Sequence, residues 1–262
     1  SGPSGSGKTT TAMKIAEALR GMGISSQSLA MDDYFRTVNP RTAPRTPEGD
    51  IDFESPACLD MDLLGKHLNA LARGEEIHLP RYNFVTRVQS GPIGRPMRLG
   101  KDEVVVCEGI HALNDDIAAY CPDAFRLYIS ARSVVVDGDG QEIFKGTWMR
   151  LLRRLVRDSN FRGTPAAATL DMWANVRRGE KRFISPFKER ANLMFDSSFP
   201  CEVSIMKNFA APLLAAVPEG AERYAEIRSI LPALDRFETI DPALLAPESM
   251  LREFIGGGVY SY

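Results

Sequence analysis

The chain has 262 residues, of which 44% are hydrophobic and 25% charged, the composition of an ordinary globular protein and not of a disordered or fibrous one. Its net charge of -2 gives no overall attraction to nucleic acid or an anionic membrane, and no apolar run approaches the length of a membrane span. The four cysteines are scattered without a Cys-x-x-Cys pair, which argues against a disulfide framework or a zinc site and leads us to expect a cytoplasmic protein.

The first ten residues, SGPSGSGKTT, contain the pattern G-x-x-x-x-G-K-[ST], and a helix is predicted directly afterwards at 10–20. Glycines allow successive backbone N–H groups to converge on a phosphate, and the helix N-terminus adds positive potential. We expect Lys8 to reach the β- and γ-phosphates of a nucleotide and the Thr9 hydroxyl to bind Mg²⁺. The strand that normally leads into such a loop is missing, so we expect it upstream or, failing that, a gap in the sheet. The predicted phosphate loop comprises Gly2, Pro3, Ser4, Gly5, Ser6, Gly7, Lys8, Thr9 and Thr10.

Short apolar runs alternate with helical stretches, which predicts an α/β fold with a mainly parallel sheet sandwiched by helices. One helix is predicted to start at Ser55-Pro56 and to end at Gly74. We expect a P-loop NTPase core over 1–210 with an arginine-rich helical lid at 147–195, and a helical extension over 211–262 packed on the core. Strands are predicted at 28–31 (SLAM), 104–107 (VVVC), 125–130 (FRLYIS) and 201–206 (CEVSIM).

Two of the predicted strands end in carboxylates. Glu108 follows VVVC, and Asp32 and Asp33 follow SLAM. Ligands of open α/β sheets bind at the carboxyl ends of the strands, so we expect Glu108 to hold the Mg²⁺ shell and Asp32 to accept the proton of an attacking hydroxyl. Two alternatives stay open, namely that Glu108 only ends its strand and that Asp33, or even Asp32, only caps the following turn.

The stretch RLLRRLVRDSNFRG at 150–163 predicts a helix with one basic face, near which Asp158 is the only acid. Arginines that close over a triphosphate would neutralise the charge that develops during phosphoryl transfer. A basic RNA-binding helix and an ordinary surface helix are the alternatives. The arginines of this stretch are Arg150, Arg153, Arg154 and Arg157 at helical spacing, with Arg162 in the turn beyond.

Other nucleotide-binding classes lack their signatures. The chain has no N-K-x-D or T-K-x-D sequence, which argues against a GTPase, and no L-S-G-G-Q sequence, which argues against a transporter ATPase. A kinase is the class that the loop, the carboxylates and the arginines together favour.

Over residues 1–210 these segments resemble the uridine kinase/phosphoribulokinase family of P-loop kinases. The family segments QDSFY, F-D-H-P, P-x-Y-D-F, FEGI and RRxxRDxxxRG are matched by MDDYF, FESP, PRYNF, CEGI and RRLVRDSNFRG. The resemblance implies that Asp32 activates the hydroxyl, that Glu108 serves the Mg²⁺ site, and that the arginines act as a lid. The implied acceptor contacts are Asp32, Glu54, Tyr82, Phe84 and Arg154, and the implied lid residues are Arg154, Arg157 and Arg162.

Three positions depart from the pyrimidine kinases of that family. Arg87 stands where those kinases have a histidine, Thr164 replaces a lid arginine, and Met172 aligns with a base-reading glutamine. A pyrimidine base needs hydrogen-bond partners in its pocket, because a buried donor or acceptor without a partner costs about 1–3 kcal/mol. The absence of the histidine and of the glutamine therefore weakens the case for uridine as the acceptor. Arg87 is a candidate contact for an anionic group of the acceptor, with a solvated loop arginine as the alternative.

A narrower resemblance involves residues 169–198, the YAEI segment and SMLREFIGGG near the C-terminus. These segments are similar to bacterial nucleoside kinases that carry a TGS domain and a threonyl-tRNA-synthetase-like segment upstream. The resemblance implies that this sequence is the kinase part of a longer chain. It also suggests packing or lid roles for Trp173, Arg177 and Arg178.

We therefore expect a kinase that uses ATP and Mg²⁺ and phosphorylates a small-molecule acceptor, most simply the 5′-hydroxyl of a nucleoside. The charge balance argues against nucleic acid or a membrane as partner of this fragment, and a homo-oligomer stays open. The alternatives are a nucleotide-gated RNA- or ribosome-associated regulator, and a kinase whose acceptor is a sugar phosphate or another anionic metabolite.

Overall fold

The computed structural model describes residues 1–91, 93–221 and 223–261, which form two compact units. The first unit consists of Ser1–Pro3, Lys8–Tyr128 and Asn175–Met194. The second consists of Ser4–Gly7, Ile129–Ala174 and Phe195–Tyr262. The division into a core and an extension at residue 210 stays a prediction.

The helices and strands follow one another as an α/β succession. The helices are α1 Lys8–Gly21, α2 Met61–Ala72, α3 Asp115–Ala118, α4 Gly146–Arg162, α5 Ala166–Gly179, α6 Glu202–Ala215, α7 Tyr224–Asp235 and α8 Arg252–Ile255. The strands are β1 Ser26–Ala30, β2 Ile77–His78, β3 Tyr82–Asn83, β4 Val88–Gln89, β5 Pro96–Met97, β6 Val104–Glu108, β7 Leu127–Ser130, β8 Val135–Val136, β9 Glu142–Phe144 and β10 Leu193–Asp196. None of the helices within the described ranges has the length and apolar character needed to cross a bilayer.

The first unit is organised around the parallel pair β1–β6, whose register runs from Ser26 opposite Val104 to Ala30 opposite Glu108. Leu29 is fully buried and belongs to the same apolar cluster as Leu64 and Leu68 of α2. Helix α1 also packs on this pair, and the Ser26 hydroxyl donates to the Ala16 carbonyl over 2.8 Å. This packing fixes the carboxyl ends of β1 and β6 side by side.

The strands do not join into one sheet, because β1–β6 and β7–β10 are separate two-stranded pieces. The Ser1 ammonium donates to the Leu127 carbonyl of β7 over 2.7 Å, and the Ser1 hydroxyl donates to the Ile110 carbonyl over 2.9 Å. The parallel pairing is as predicted, and the small pairs β2–β5, β3–β4 and β8–β9 are antiparallel.

The second unit is mainly helical. Helix α4 packs against α6 and α8, and α6 packs against α7. The buried face of α4 carries Leu151, Leu152, Leu155 and Val156, each with no exposed surface. This spacing is that of an amphipathic helix, and two arginines of α4, Arg150 and Arg153, are buried as well.

Two sequence predictions are wrong. The predicted strand at 201–206 is the start of α6, where Val203, Met206, Ala210 and Leu214 are buried at helical spacing. The six-residue window was too short to distinguish a buried strand from one turn and a half of buried helix. The strand that pairs with β7 is instead β10, whose residues Leu193, Met194 and Phe195 are apolar but exposed.

The helix predicted from Ser55-Pro56 also begins later. Ser55 caps only a short 3₁₀ turn, Pro56–Cys58, and α2 begins after Asp60, whose carboxylate accepts the N–H of Leu63 over 3.2 Å. Both residues are N-caps of the expected kind, and the second one starts the longer helix.

Candidate active site

The phosphate loop has the backbone conformation that its glycines permit. Gly5 has φ +74° and Gly7 has φ +81°, values that a residue with a side chain rarely adopts. A Cβ atom at Gly5 would also lie 2.8 Å from the carbonyl oxygen of Arg150. Helix α1 starts at Lys8, directly after the loop, so its first free N–H groups follow the loop amides in the chain. These are the features of an anion-binding loop.

Lys8 belongs to the first unit, together with the other loop residues Gly2, Pro3, Thr9 and Thr10. The Lys8 ammonium donates to the Pro3 carbonyl over 3.3 Å, so it lies beside the first residues of the loop. Gly2 and Pro3 are buried, and Thr10 is fully buried in the first turn of α1. Lys8 is therefore one of the cations that lie beside the backbone of the phosphate loop.

Thr9 and Glu108 meet at the carboxyl end of the parallel pair. The Thr9 hydroxyl donates to the Glu108 carboxylate over 2.9 Å. One hydroxyl and one carboxylate are oxygen donors of the type that Mg²⁺ prefers, and Mg²⁺ commonly takes few protein ligands beside phosphate and water. No cluster of three or more His, Cys, Asp or Glu side chains that suits a metal is found in the described part of the chain. The donor set thus fits a cation that arrives with a nucleotide.

Asp32 and Asp33 lie in the 3₁₀ turn Met31–Tyr34, which starts immediately after β1. Because Ala30 is the strand partner of Glu108, the two aspartates follow at the same end of the β1–β6 pair. Asp33 accepts the N–H of Tyr82 over 3.4 Å, and burial, with the nearby Asp32 charge, raises the pKa of Asp33. Asp33 therefore contacts the backbone of β3, a distant segment, and this contact does not cap the turn that follows β1.

A cavity of about 380 Å³ adjoins these residues, a size typical of small-ligand pockets. Its lining includes Thr9, Glu108 and Asp33, together with Arg81 and Arg95. Among the described residues that line it, Asp33 is present and Asp32 is not. Both aspartates therefore lie at the carboxyl end of β1, beside the strand that ends at Glu108.

The segment around Glu54 is buried against the end of α5. A Cβ atom on Gly179 would overlap the Glu54 side chain, so the close approach requires glycine at this position. Asp52 accepts the N–H of Glu54 over 3.2 Å and forms an ion pair of 3.2 Å with Arg178. Sequence reasoning assigned Arg178 only a general packing or lid role, whereas the structure places it on the predicted acceptor segment.

The aromatic residues predicted to contact the acceptor form one cluster. Ring centroids are 5.5 Å apart for Phe35 and Tyr82 and 5.0 Å apart for Tyr82 and Phe84. Arg87, at φ +59°, has its guanidinium 4.9 Å from the centre of the Phe53 ring. Phe53 precedes Glu54, so the chain brings Arg87 to the same segment.

In the second unit, the arginines of α4 contact the phosphate loop. Arg154 donates to the Ser4 hydroxyl over 2.9 Å, and Arg150 donates to the Ser4 carbonyl over 3.4 Å. This helix therefore contacts the loop at Ser4, and the action of its arginines on a triphosphate stays a prediction. Such guanidinium groups suit the charge of a phosphate chain.

The three predicted lid arginines converge on one acid. Arg157, Arg154 and Arg162 lie 2.7, 3.2 and 3.6 Å from the Asp158 carboxylate. Burial opposes the charged form of Asp158, but the three cations outweigh it and hold the pKa of this carboxyl below its ordinary value. Asp158 thereby holds the guanidinium groups together.

Arg153 does not belong to that group, which corrects the expectation that it shares one basic face with Arg154 and Arg157. It is fully buried, forms a two-pronged ion pair with Glu202 and donates to the Ser197 carbonyl over 2.8 Å. Its Nη1 group donates to the Gly5 carbonyl over 3.1 Å and to the Ser197 hydroxyl over 3.2 Å. Sequence reasoning missed this pair because Glu202 lay in the segment predicted as a strand.

His111 is a buried histidine that sequence reasoning did not assign. It has no exposed surface, its ring centroid lies 6.4 Å from that of Phe183 in an edge-on arrangement, and its Nδ1 atom lies 3.4 Å from the Asn114 amide nitrogen. Burial lowers the pKa of His111 to about 4. The neutral ring is thus the form that the folded chain accommodates.

We expect His111 to make the protein less stable in mild acid. The ordinary pKa of histidine is about 6.5, so between pH 6.5 and 4 the unfolded chain binds a proton that the folded chain excludes. The neutral His111 ring therefore costs no stability above pH 6.5. As the pH drops from 6.5 toward 4, the free energy of unfolding falls by up to about 3 kcal/mol. Urea unfolding at pH 7.0 and 4.5 measures this loss.

The matched variants for this experiment are His111→Leu and His78→Gln. His111→Leu should lose much less stability between the two pH values than the parent chain does. His78 is half exposed, so His78→Gln should keep the parent's pH dependence. An unchanged pH dependence in His111→Leu would contradict the assignment.

Comparison with known proteins gives an independent result. A profile of the phosphoribulokinase/uridine kinase family matches residues 1–203. A uridine kinase from Deinococcus deserti is 31% identical over 194 residues, which are 74% of this chain and 83% of that protein. A uridine kinase from Halobacterium salinarum is 28% identical over 194 residues, which are 74% and 76% of the two chains.

A solved structure from Silicibacter sp. TM1040, whose description names a fructose transport system kinase, is similar in fold. It has a TM-score of 0.50 at 20% identity and covers 74% of this chain and 86% of its own. At this identity the likeness shows the fold alone, which is α/β.

Proposed function

Because the chain belongs to the phosphoribulokinase/uridine kinase family and is a phosphotransferase with a hydroxyl acceptor, we propose that it transfers the γ-phosphate of ATP to the 5′-hydroxyl of a nucleoside. The observation that carries this proposal is the contact between Thr9 and Glu108 at the strand end where Asp32 also lies. The proposed cation site and the proposed base thereby share the carboxyl end of the β1–β6 pair, and phosphoryl transfer to an alcohol requires both groups close together.

In the proposed reaction the residues of the first unit bind phosphate, hold the cation and accept the proton. The loop amides bind the phosphates, and Lys8 adds positive charge beside the loop. Thr9 and Glu108 would hold Mg²⁺, which supplies charge neutralisation when it is bound. Asp32 accepts the proton of the acceptor hydroxyl, since a carboxylate in the correct place also orients the attacking oxygen.

The α4 arginines act on the phosphate side. Arg154 already contacts the loop through Ser4, and Asp158 positions Arg154 together with Arg157 and Arg162. Guanidinium groups in this place stabilise charge on the transferred phosphoryl group. The same contacts weigh against an RNA-binding helix, because the side chains of Arg153, Arg154 and Arg157 are at most 15% exposed.

The acceptor segment favours a neutral, hydroxyl-rich acceptor over an anionic one. Beside Glu54, the acids Asp52 and Glu54 are matched in number by Arg178 and Arg87, so these immediate surroundings have no excess positive charge for an acceptor phosphate. Carboxylate and guanidinium groups side by side offer both acceptors and donors to a sugar diol. A nucleoside sugar meets this description, and the relatives named above are uridine kinases.

A phosphorylation screen tests the proposal. The chain is incubated with ATP, Mg²⁺ and single acceptors from a panel of nucleosides, sugar phosphates and alcohols, with the Lys8→Ala variant as the blank. We expect phosphate transfer to at least one nucleoside by the parent chain and none by Lys8→Ala. Transfer only to sugar phosphates, or tight salt-sensitive tRNA binding without any acceptor-dependent ATP turnover, would replace the nucleoside proposal.

A further inference from the structure

The segment SMLREFIGGG, residues 249–258, has no place in the proposed chemistry, yet it contacts the phosphate loop. We call it the tail segment. A Cβ atom on Gly7 would overlap the Sδ atom of Met250 and lie 2.8 Å from its Cγ atom. The Met250 side chain is therefore in contact with the loop residue that immediately precedes Lys8. Loop and tail segment are separated by more than 240 residues of sequence and belong to the same compact unit.

A second contact reaches the loop through Arg153. The Phe254 ring is fully buried, and its centre is 5.3 Å from the Arg153 guanidinium. Arg153 in turn donates to the Gly5 carbonyl over 3.1 Å. The tail segment thus contacts the loop directly at Gly7. It also contacts Arg153, which donates to the Gly5 carbonyl, through the Phe254 ring.

The tail segment is itself firmly attached. Arg252 donates to the carbonyls of Leu245 and Pro242 over 2.8 and 3.0 Å, which ties α8 to the preceding turn. Leu251 is buried, and the Asn160 amide of α4 donates to the Phe254 carbonyl over 3.4 Å. A segment with these attachments can restrict a neighbouring loop, which an unattached chain end does not do.

A glycine-rich loop needs such restriction to bind phosphate well. Gly5 and Gly7 must keep positive φ for the loop amides to point in one direction, yet glycine loses more conformational freedom on ordering than any other residue. Contacts that order the loop in advance lower the entropic cost of binding. We propose that the tail segment is a positioning element of the phosphate loop and that the affinity for nucleotide phosphates depends on Met250.

This inference rests on the proposed nucleotide site and adds a linkage to it. If the docked tail segment favours the loop conformation that binds phosphate, bound nucleotide must equally favour the docked tail segment. Amides of residues 250–256 should therefore exchange hydrogen more slowly when ADP is bound. This readout does not require the acceptor to be known.

The test compares Met250→Ala and Met250→Leu with the parent chain. ADP affinity is measured by calorimetry. We expect Met250→Ala to raise the dissociation constant of ADP by about tenfold, because removing the contact leaves the loop to be ordered by the ligand. Met250→Leu keeps an apolar side chain of similar volume and should bind ADP nearly as the parent does. In turnover, Met250→Ala should raise KM for ATP and leave KM for the acceptor unchanged.

The matched control is Leu244→Ala. Leu244 precedes the tail segment in the same C-terminal stretch, but its side chain is 79% exposed, so ADP affinity should not change. A folded Met250→Ala variant with the parent's ADP affinity would overturn the inference. If that variant does not fold, unchanged hydrogen exchange of residues 250–256 in the parent chain on ADP binding would overturn it. Absence of any ADP binding by the parent chain would overturn the proposed function as well, whereas ADP binding without nucleoside phosphorylation would overturn only the nucleoside proposal.

Discussion

Replacing Asp32 by asparagine should lower turnover by about 10³-fold while ADP affinity stays close to that of the parent chain, since a well-placed general base contributes about 10²–10⁴-fold. The asparagine amide has the shape of the carboxylate but does not accept the proton of an attacking hydroxyl. Phosphate binding is assigned to the phosphate loop, which this change does not touch. Steady-state kinetics with a nucleoside acceptor, together with ADP calorimetry, measure the two quantities separately.

Asp33→Asn is the decisive comparison, because Asp33 is adjacent in sequence and lines the cavity. Its amide oxygen should still accept the N–H of Tyr82, so we expect a loss of less than about tenfold. Asp62→Asn serves as a surface control, since the Asp62 side chain is 88% exposed. If Asp33→Asn loses the 10³-fold and Asp32→Asn does not, the base is Asp33 and the family-based assignment is wrong.

Replacing Arg153 by methionine should lower the free energy of unfolding by about 3–5 kcal/mol, the usual cost of removing one partner of a buried ion pair. Both side chains of the Arg153–Glu202 pair are completely buried, so the change leaves the Glu202 carboxylate without its partner in the interior. Chemical denaturation monitored by circular dichroism gives the difference. A loss below about 1 kcal/mol would contradict the structural role assigned to this pair.

Two further variants refine this prediction. Arg73→Ala removes an ion pair with Glu75 whose side chains are both more than half exposed, so it should change stability little. The double variant Arg153→Met with Glu202→Leu replaces the whole pair by apolar groups and should recover most of the lost stability. It should still bind ADP more weakly than the parent, because the Gly5 carbonyl has lost its donor.

The local parts of the site were predictable from the sequence because their chemistry is contained in short segments. The phosphate loop, the helix after it, and the strands that end at Asp32 and Glu108 lie where the sequence predicts, within two residues. Glycine spacing, β-branched runs and helical periodicity are local signals, and each of these elements is recognisable from its own residues.

The errors occur where local signals conflict with packing. The run at 201–206 is apolar enough for a strand and becomes helix α6 because its continuation buries Ala210 and Leu214 on the same face. Arg153 looks identical to its neighbour Arg154 in the sequence, but it points into the core and pairs with Glu202. Helical spacing alone does not distinguish a buried arginine from an exposed one, because burial depends on what another segment supplies.

The sequence by itself determined the local features of this chain: a glycine-rich loop of the phosphate-binding pattern, the Thr9 hydroxyl directly after it, and acids at the ends of two strands. Only the tertiary structure decided which groups meet across long stretches of sequence, namely Thr9 with Glu108, Asp52 with Arg178, and Met250 with Gly7. The physical reason is that a residue type and its spacing fix local backbone preferences. Contacts between distant segments are instead selected by burial and close packing of the whole chain.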